Sequence, residues 1–283
     1  MKNILFVTLF LVEFIIAQDL KIIILMEKNE FVYGEPVYAF AAIENISNTE
    51  LEISPFTAVA RTSSLRVEVY ENNIMLTPNW NYKFVDGEYL NYSLASKAIL
   101  YDMLDISSWY GNTRNELVGN SGLGINYYSF DPGSYKIRIE YLSQENKLLY
   151  HEINFEVRSP KSEIELYHFD ILKLSVLSLQ TELYEEYKHK LLSVIDDSNN
   201  SIYKQLALYH LRIFYMSKED TEGYLSCLKK MIIEYPDSFL TLGTIGSQWI
   251  DNRDLLISEE VLNRLRTSKY YLIYKHYLNG HLL

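Results

Sequence analysis

The chain is short of the residues that usually announce a chemistry. Cysteine occurs once, at Cys227, among 283 residues. One thiol cannot close an internal disulfide. The six histidines (His151, His168, His189, His210, His276 and His281) are scattered, and none stands in an HExxH, HxH or Cys/His metal spacing. Basic charge is also scarce: 26 Lys and Arg face 37 Asp and Glu, giving a net charge of −11. No basic stripe interrupts that deficit, which argues against a nucleic-acid partner. Long apolar runs are absent too, so no membrane-spanning helix of ~20 residues is expected.

The remaining motif searches fail on spacing. Gly119-Asn120-Ser121-Gly122-Leu123-Gly124 matches neither the nucleophile elbow G-x-S-x-G nor the dinucleotide fingerprint, because its glycines fall at the wrong intervals. Asp196-Asp197-Ser198-Asn199-Asn200 lacks the loop glycine and the closing Glu of an EF-hand. Glu185-Glu186 and Glu259-Glu260 read as solvated helix faces, and Cys227 as a buried small apolar residue rather than a nucleophile. No catalytic motif is found, and no cofactor is implied.

What is present points to a folded, exported protein. Hydrophobic residues make up 48 % of the chain, which excludes wholesale disorder. Met1-Lys2-Asn3 is a short basic start, and Ile4 to Ala17 is apolar apart from Thr8 and Glu13. Ile15-Ile16-Ala17 before Gln18 is a small-residue cleavage pattern, so residues 1–17 read as a secretory signal peptide. A carboxylate at Glu13 argues against a membrane span, where it would cost ~2.5–3.5 kcal/mol. A buried N-terminal strand is the competing reading. The mature chain is expected in the periplasm, on the cell surface or outside the cell.

The hydrophobic period changes once. Ile153, Phe155 and Val157 alternate with Glu152, Asn154 and Glu156, as in a half-buried strand. Beyond them, Ser159-Pro160 suits a helix start, and Ser162 with Glu165 offers a capping box slightly later. Residues 18–158 therefore form an expected β domain and residues 159–283 an α domain. The first carries 11 basic and 19 acidic residues, net −8; the second carries 14 and 17, net −3.

Within the β half, strands are expected at Leu20–Met26, Val37–Ile43, Leu51–Ile53, Leu65–Tyr70, Ala98–Leu104, Ile125–Phe130, Tyr135–Leu142 and Leu148–Val157, with Glu27–Pro36 as a turn. Asp86-Gly87 signals a hairpin between Tyr82–Val85 and Glu88–Tyr92. Asp105 can cap one helical turn through Tyr110. Asp131-Pro132-Gly133-Ser134-Tyr135 resembles the tyrosine corner of immunoglobulin-like folds, and Tyr33-Gly34-Glu35-Pro36-Val37 with Glu44-Asn45 is similar to the first hairpin of bacterial secreted Ig-like modules. The resemblance implies an antiparallel β-sandwich without the usual disulfide, since Ile137 stands at the cysteine position.

Helices are expected at Ser162–Leu179, Thr181–Ile195, Ser201–Met216, Thr221–Tyr235, Phe239–Ile250 and Glu259–Leu278. Residues 205–238 resemble one tetratricopeptide repeat: Leu208, Leu211 and Tyr215, then Leu228 and Met231, then Tyr235-Pro236. Arg212 and Tyr224 depart from the small residues of that family. The likeness implies protein or peptide binding on a helical surface.

The chain is thus expected to be a two-domain, all-β plus all-α protein, an Ig-like sandwich followed by a TPR-like helical-hairpin domain. Its expected role is non-enzymatic interaction or scaffolding, with a protein partner in the envelope. The alternative is a carbohydrate-binding module or an accessory part of a carbohydrate-processing enzyme. Trp80, Tyr82, Tyr89 and Tyr92 around the Asp86-Gly87 turn are candidates for contact with a partner or glycan, with core packing as the competing reading. Tyr270, Tyr274 and Tyr277 share one helix face, which either binds a partner or seals the helical core.

Overall fold

The computed structural model describes residues 19–58, 64–79, 91–113, 128–178, 183–197, 201–248 and 258–277. Strands β1 (Leu20–Leu25), β2 (Glu30–Val32), β3 (Tyr38–Asn45), β4 (Leu51–Ile53), β5 (Leu65–Glu71), β6 (Ile74–Met75), β7 (Tyr92–Leu94) and β8 (Ile99–Asp105) lead into a short helix, α1 (Ile106–Tyr110). Then come β9 (Asn112–Thr113), β10 (Tyr128–Ser129), β11 (Gly133–Leu142) and β12 (Leu148–Arg158). Helices α2 (Glu163–Ser178), α3 (Tyr184–Asp197), α4 (Ser201–Ser217), α5 (Thr221–Glu234), α6 (Phe239–Gln248), α7 (Glu259–Arg266) and α8 (Tyr271–Tyr277) follow.

Two larger sheets face each other. One has the order β1-β3-β8, the other β2-β12-β11-β5-β6. Between them lie Ile22, Ile24, Ala39, Ala41, Ile43 and Leu104 from the first sheet. Val67, Val69, Ile137, Ile139, Tyr141 and Phe155 come from the second. Strict alternation along β11 puts Tyr135, Ile137, Ile139 and Tyr141 into this core. The Tyr135 hydroxyl donates to the Asp131 carbonyl at 2.9 Å.

The surrounding architecture is nevertheless not the expected one. The fold is mixed α/β, not an all-β Ig-like sandwich followed by a separate all-α, TPR-like domain. Three observations overturn the expectation. First, the five-stranded sheet is mixed, because β2 runs parallel to β12, pairing Phe31 with Val157. The segment Glu27–Pro36, read as a turn, supplies that strand. Its polar sequence hides it, and backbone bonds make it: Glu156 N–H to the Asn29 carbonyl and Tyr33 N–H to the Arg158 carbonyl, both at 2.8 Å.

Second, strand and helix residues share one core. Tyr38-Ala39-Phe40-Ala41-Ala42-Ile43 is apolar at every position and buried at every position. A strand of this kind needs cover on both faces. Ala39, Ala41 and Ile43 meet the second sheet, while Tyr38 and Phe40 join the helical cluster with Leu211, Leu228, Phe239 and Ile245. Phe40 meets Phe239 edge-on, with centroids 5.0 Å apart. The Glu27 carboxylate accepts the Phe239 N–H at 2.5 Å, so a residue of the β1–β2 turn helps to cap α6.

Third, the helices do not stand as a separate repeat array. The expected hairpin is buried almost all round α4, through Tyr203, Leu206, Leu208, His210, Leu211, Arg212, Ile213 and Phe214. This helix contacts α2, α3, α5 and α6, while α6 and α8 lie against strands β3 and β8. A self-standing repeat array meets only its own neighbouring repeats, whereas here a sheet closes off α6 and α8.

Local signals fared better than architecture. Asp105 caps α1, accepting the Ser108 N–H at 3.0 Å. At the strand-to-helix junction the later capping pair is the one used: the Ser162 hydroxyl accepts the Glu165 N–H at 3.1 Å. Glu165 accepts the Lys161 N–H at 2.6 Å and two N–H groups of Arg158 at 3.0 Å each. The expected final helix is broken into α7 and α8. Asp237 causes the break by accepting the Ser268 hydroxyl at 2.7 Å and the Lys269 N–H at 2.9 Å.

Gly243 marks where α6 crosses β3. A Cβ there would stand 2.7 Å from the Tyr38 ring. That ring is buried and cannot swing away. Alanine would gain roughly 1 kcal/mol of helix propensity, and the clash would cost about 1–3 kcal/mol. Gly243→Ala is therefore expected to lower stability by up to about 2 kcal/mol net, read as a reduced urea midpoint with an unchanged slope. An unchanged or higher midpoint would show that the helix can slide on the strand.

Candidate functional site

The sequence-derived site residues that are described, Tyr92, Tyr270 and Tyr274, lie on different elements. Trp80, Tyr82, Tyr89 and the Asp86-Gly87 turn lie outside the described residues. Tyr92 is exposed on β7, paired with Ile53 of β4. Tyr270 rests on Phe239 with centroids 4.7 Å apart, and Lys269 covers its ring. Tyr274 is 1 % exposed, and its hydroxyl donates to the Pro236 carbonyl at 2.8 Å. Tyr277 ends α8, and its side chain lies outside the description. Cys227 is free and buried, with its thiol pushed up to about 12, chiefly by burial. Among the described residues no group of three or more His, Cys, Asp or Glu could share a metal ion.

A different surface carries concentrated, ordered polarity. The alternation that buries Tyr135 to Tyr141 turns Lys136, Arg138, Glu140 and Leu142 outward. Pairing with β5 and β12 sets these residues in rows: Tyr70–Lys136–Asn154, Glu68–Arg138–Glu152 and Arg66–Glu140–Tyr150. Leu142 is paired with Leu148 at the hairpin end. The sequence shows the outward residues of each strand, but only the pairing shows which strands are neighbours.

Charges on this face are held in place before any ligand arrives. Arg138 bridges Glu140 at 2.6 Å and Glu152 at 3.5 Å, and its guanidinium sits 5.0 Å from the centre of the Tyr150 ring. Lys136 lies 4.7 Å over Tyr70 and 3.4 Å from Glu152. The Tyr70 hydroxyl donates to Glu68 at 2.6 Å, and that bond, more than burial, raises its pKa above the ordinary phenol value. Beside the grid, the Asn72-Asn73 turn has φ of 50° and 66°, the left-handed backbone of a tight hairpin. A cleft of about 340 Å³ opens there, lined by Tyr70, Asn72, Asn73, Lys136, Asn154 and Glu156.

At the other end of the face the surface is apolar. Leu142 is 44 % exposed, Leu148 53 % and Tyr150 61 %. Single exposed apolar residues need no explanation, but three adjoining ones on a solvated sheet face do. Such a face can hold a partner by apolar contact while its fixed charges select that partner.

No family model and no curated protein matches the chain. Among solved structures it is similar to the CARDB domain of a Pyrococcus furiosus protein, at 13 % identity and a TM-score of 0.24, over 50 % of this chain and 88 % of that one. It is also similar to the alkylpurine DNA glycosylase AlkC of Pseudomonas fluorescens, at 11 % identity and a TM-score of 0.26, over 50 % of this chain and 31 % of that one. A third likeness is to a beta-glucosidase from Listeria innocua, at 11 % identity and a TM-score of 0.26, over 49 % of this chain and 16 % of that one. At TM-scores this low, none of these likenesses bears on fold or function. Among the described residues no helix is long and apolar enough to cross a membrane.

Proposed function

We propose that the protein is an exported, non-enzymatic interaction module that binds a protein partner through the outer face of β5, β11 and β12. The observation that carries this reading is the patch of Leu142, Leu148 and Tyr150 beside the prearranged Arg138–Glu140–Glu152 charges. Tyrosine and arginine are over-represented among residues that dominate interface energetics. Export is supported by Lys2 and the apolar stretch to Ala17.

Replacing Tyr150 and Leu148 together, by Ala and Ser, tests the face. Both side chains are mostly in water, so the melting temperature is expected to stay within about 2 °C of wild type. Capture of a crosslinked envelope partner should fall at least tenfold, about 1.4 kcal/mol. Undiminished capture, or a large thermal loss with capture intact, would make the patch structural.

A glycan ligand is the second reading, favoured by one feature: Tyr70 and the amides of Asn72, Asn73 and Asn154 around the cleft. It predicts the opposite pattern, in which Tyr70→Ala abolishes binding and the Tyr150 and Leu148 changes leave it intact.

A further inference from the structure

Arg212 stands at a position where a charge is hard to explain structurally. It sits on the central helix α4 and is 5 % exposed. Its Nε and Nη1 are buried, and among the described residues neither has a hydrogen-bond partner. The guanidinium lies 4.7 Å from the centre of the Tyr209 ring. Stacking of this kind fixes the plane of the cation but offers no acceptor to its in-plane N–H groups.

The neighbours that sense this charge are Tyr38 on β3, His210 on α4 and Cys227 on α5. None of them supplies a negative charge. Burial holds the Tyr38 phenol and the Cys227 thiol in their protonated forms, and it holds His210 neutral. Asp105 also faces Tyr38 and Asp220 faces Cys227, but their carboxylates are engaged, the first by the Ser108 N–H and hydroxyl, the second by the Gly223 N–H. Burying a cation without a counter-charge costs far more than burying a paired one. A Met of similar length would fill the same space at no such cost.

We propose that Arg212 anchors a binding site for a small organic carboxylate, seated in the seam between α4, α5 and strand β3. The chemistry selects the class. A guanidinium with several open N–H groups suits the two oxygens of one carboxylate. A single cation balances a single negative charge, whereas a phosphate dianion calls for more than one. Tyr38 and Tyr209 are hydrogen-bonded to each other next to this charge, and the pair keeps one hydroxyl proton to donate to the same carboxylate. This site is buried between layers, far in character from the solvated outer sheet face, and the proposal stands without that reading.

Thermal unfolding of the full chain in sodium acetate, succinate, phosphate or chloride, at matched ionic strength, tests the assignment. A carboxylate that binds only the folded chain should raise the melting temperature saturably by several degrees at millimolar concentration. Chloride should not. Arg212→Met should melt no lower than wild type, since it removes an uncompensated charge, and should lose the carboxylate response. Arg212→Lys keeps the charge without the planar fork and should weaken binding at least tenfold; it reports on the same site should the Met variant fail to fold. The proposal is overturned if the wild-type melting temperature follows ionic strength alone. Phosphate matching the carboxylates at equal concentration, or variants that respond as wild type does, would equally overturn it.

Discussion

Phe40→Ala is expected to cost about 3–5 kcal/mol, the usual penalty for truncating a fully buried aromatic, and to weaken strands and helices together. Phe40 has no exposed surface, is flanked in register by Leu25 and Met103, and meets Phe239 of α6. Its removal opens a cavity at the plane where the sheet meets the helices. The helical cluster includes Val32, Tyr38 and Phe40, so neither layer is complete without the other. Amide hydrogen exchange checks the coupling. Protection in β11, on the far sheet, should fall by the same free energy as protection in α4. Loss confined to the helices, with β11 unmoved, would mean that the two halves hold independently.

The second large effect is a pH dependence with two opposing parts. His210 is fully buried, and its pKa is pushed down to about 3, first by burial and then by the Arg212 charge. In the unfolded chain it titrates near 6.5. The unfolded state therefore takes up a proton that the folded state refuses. The stability tied to His210 is present above pH ~6.5 and is lost as pH falls towards 3, by up to ~1.4 kcal/mol per pH unit. His210→Leu should flatten this acid slope.

Asp102 works the other way. Burial raises its carboxyl to about 7, although it accepts the Ala58 N–H at 2.6 Å. The folded state keeps a proton that the unfolded chain releases near 3.8, so this contribution is present below ~3.8 and lost as pH rises through about 7. Burial raises Glu35 and Asp105 in the same direction. Between pH ~4 and ~6.5 the two parts oppose each other, and single variants separate them. Asp102→Asn should be more stable than wild type at pH 8, with the gap narrowing by pH 5; urea unfolding at the two values measures it. An equal gap at both would place the Asp102 proton outside this window.

Much of the local structure could be read from residues alone, because it depends on chemistry within a few positions. The Asp105 cap and the Ser162–Glu165 pair each join groups no more than four residues apart. The helices starting at Thr221 and Glu259 follow the same rule, through the Asp220 and Ser258 caps. The candidate site was less legible. Lys136, Arg138 and Glu140 show as the outward side of one strand, yet nothing in their spacing says that Tyr70 and Tyr150 flank them. Those tyrosines are 80 residues apart and meet only through the register of three strands.

What the sequence determined by itself was that strands, with one short helix among them, run up to Arg158 and helices follow it, set by the change of hydrophobic period from two to three and four. Only tertiary structure decided that the two share a core. The clue lay in Tyr38-Ala39-Phe40-Ala41-Ala42-Ile43, whose lack of alternation is the mark of a strand covered on both faces. A continuous apolar run cannot name what covers it. The cover is α6, which meets β3 through Gly243 and Phe239 some 200 residues along the chain, and a contact at that range leaves no trace in the local period of either segment.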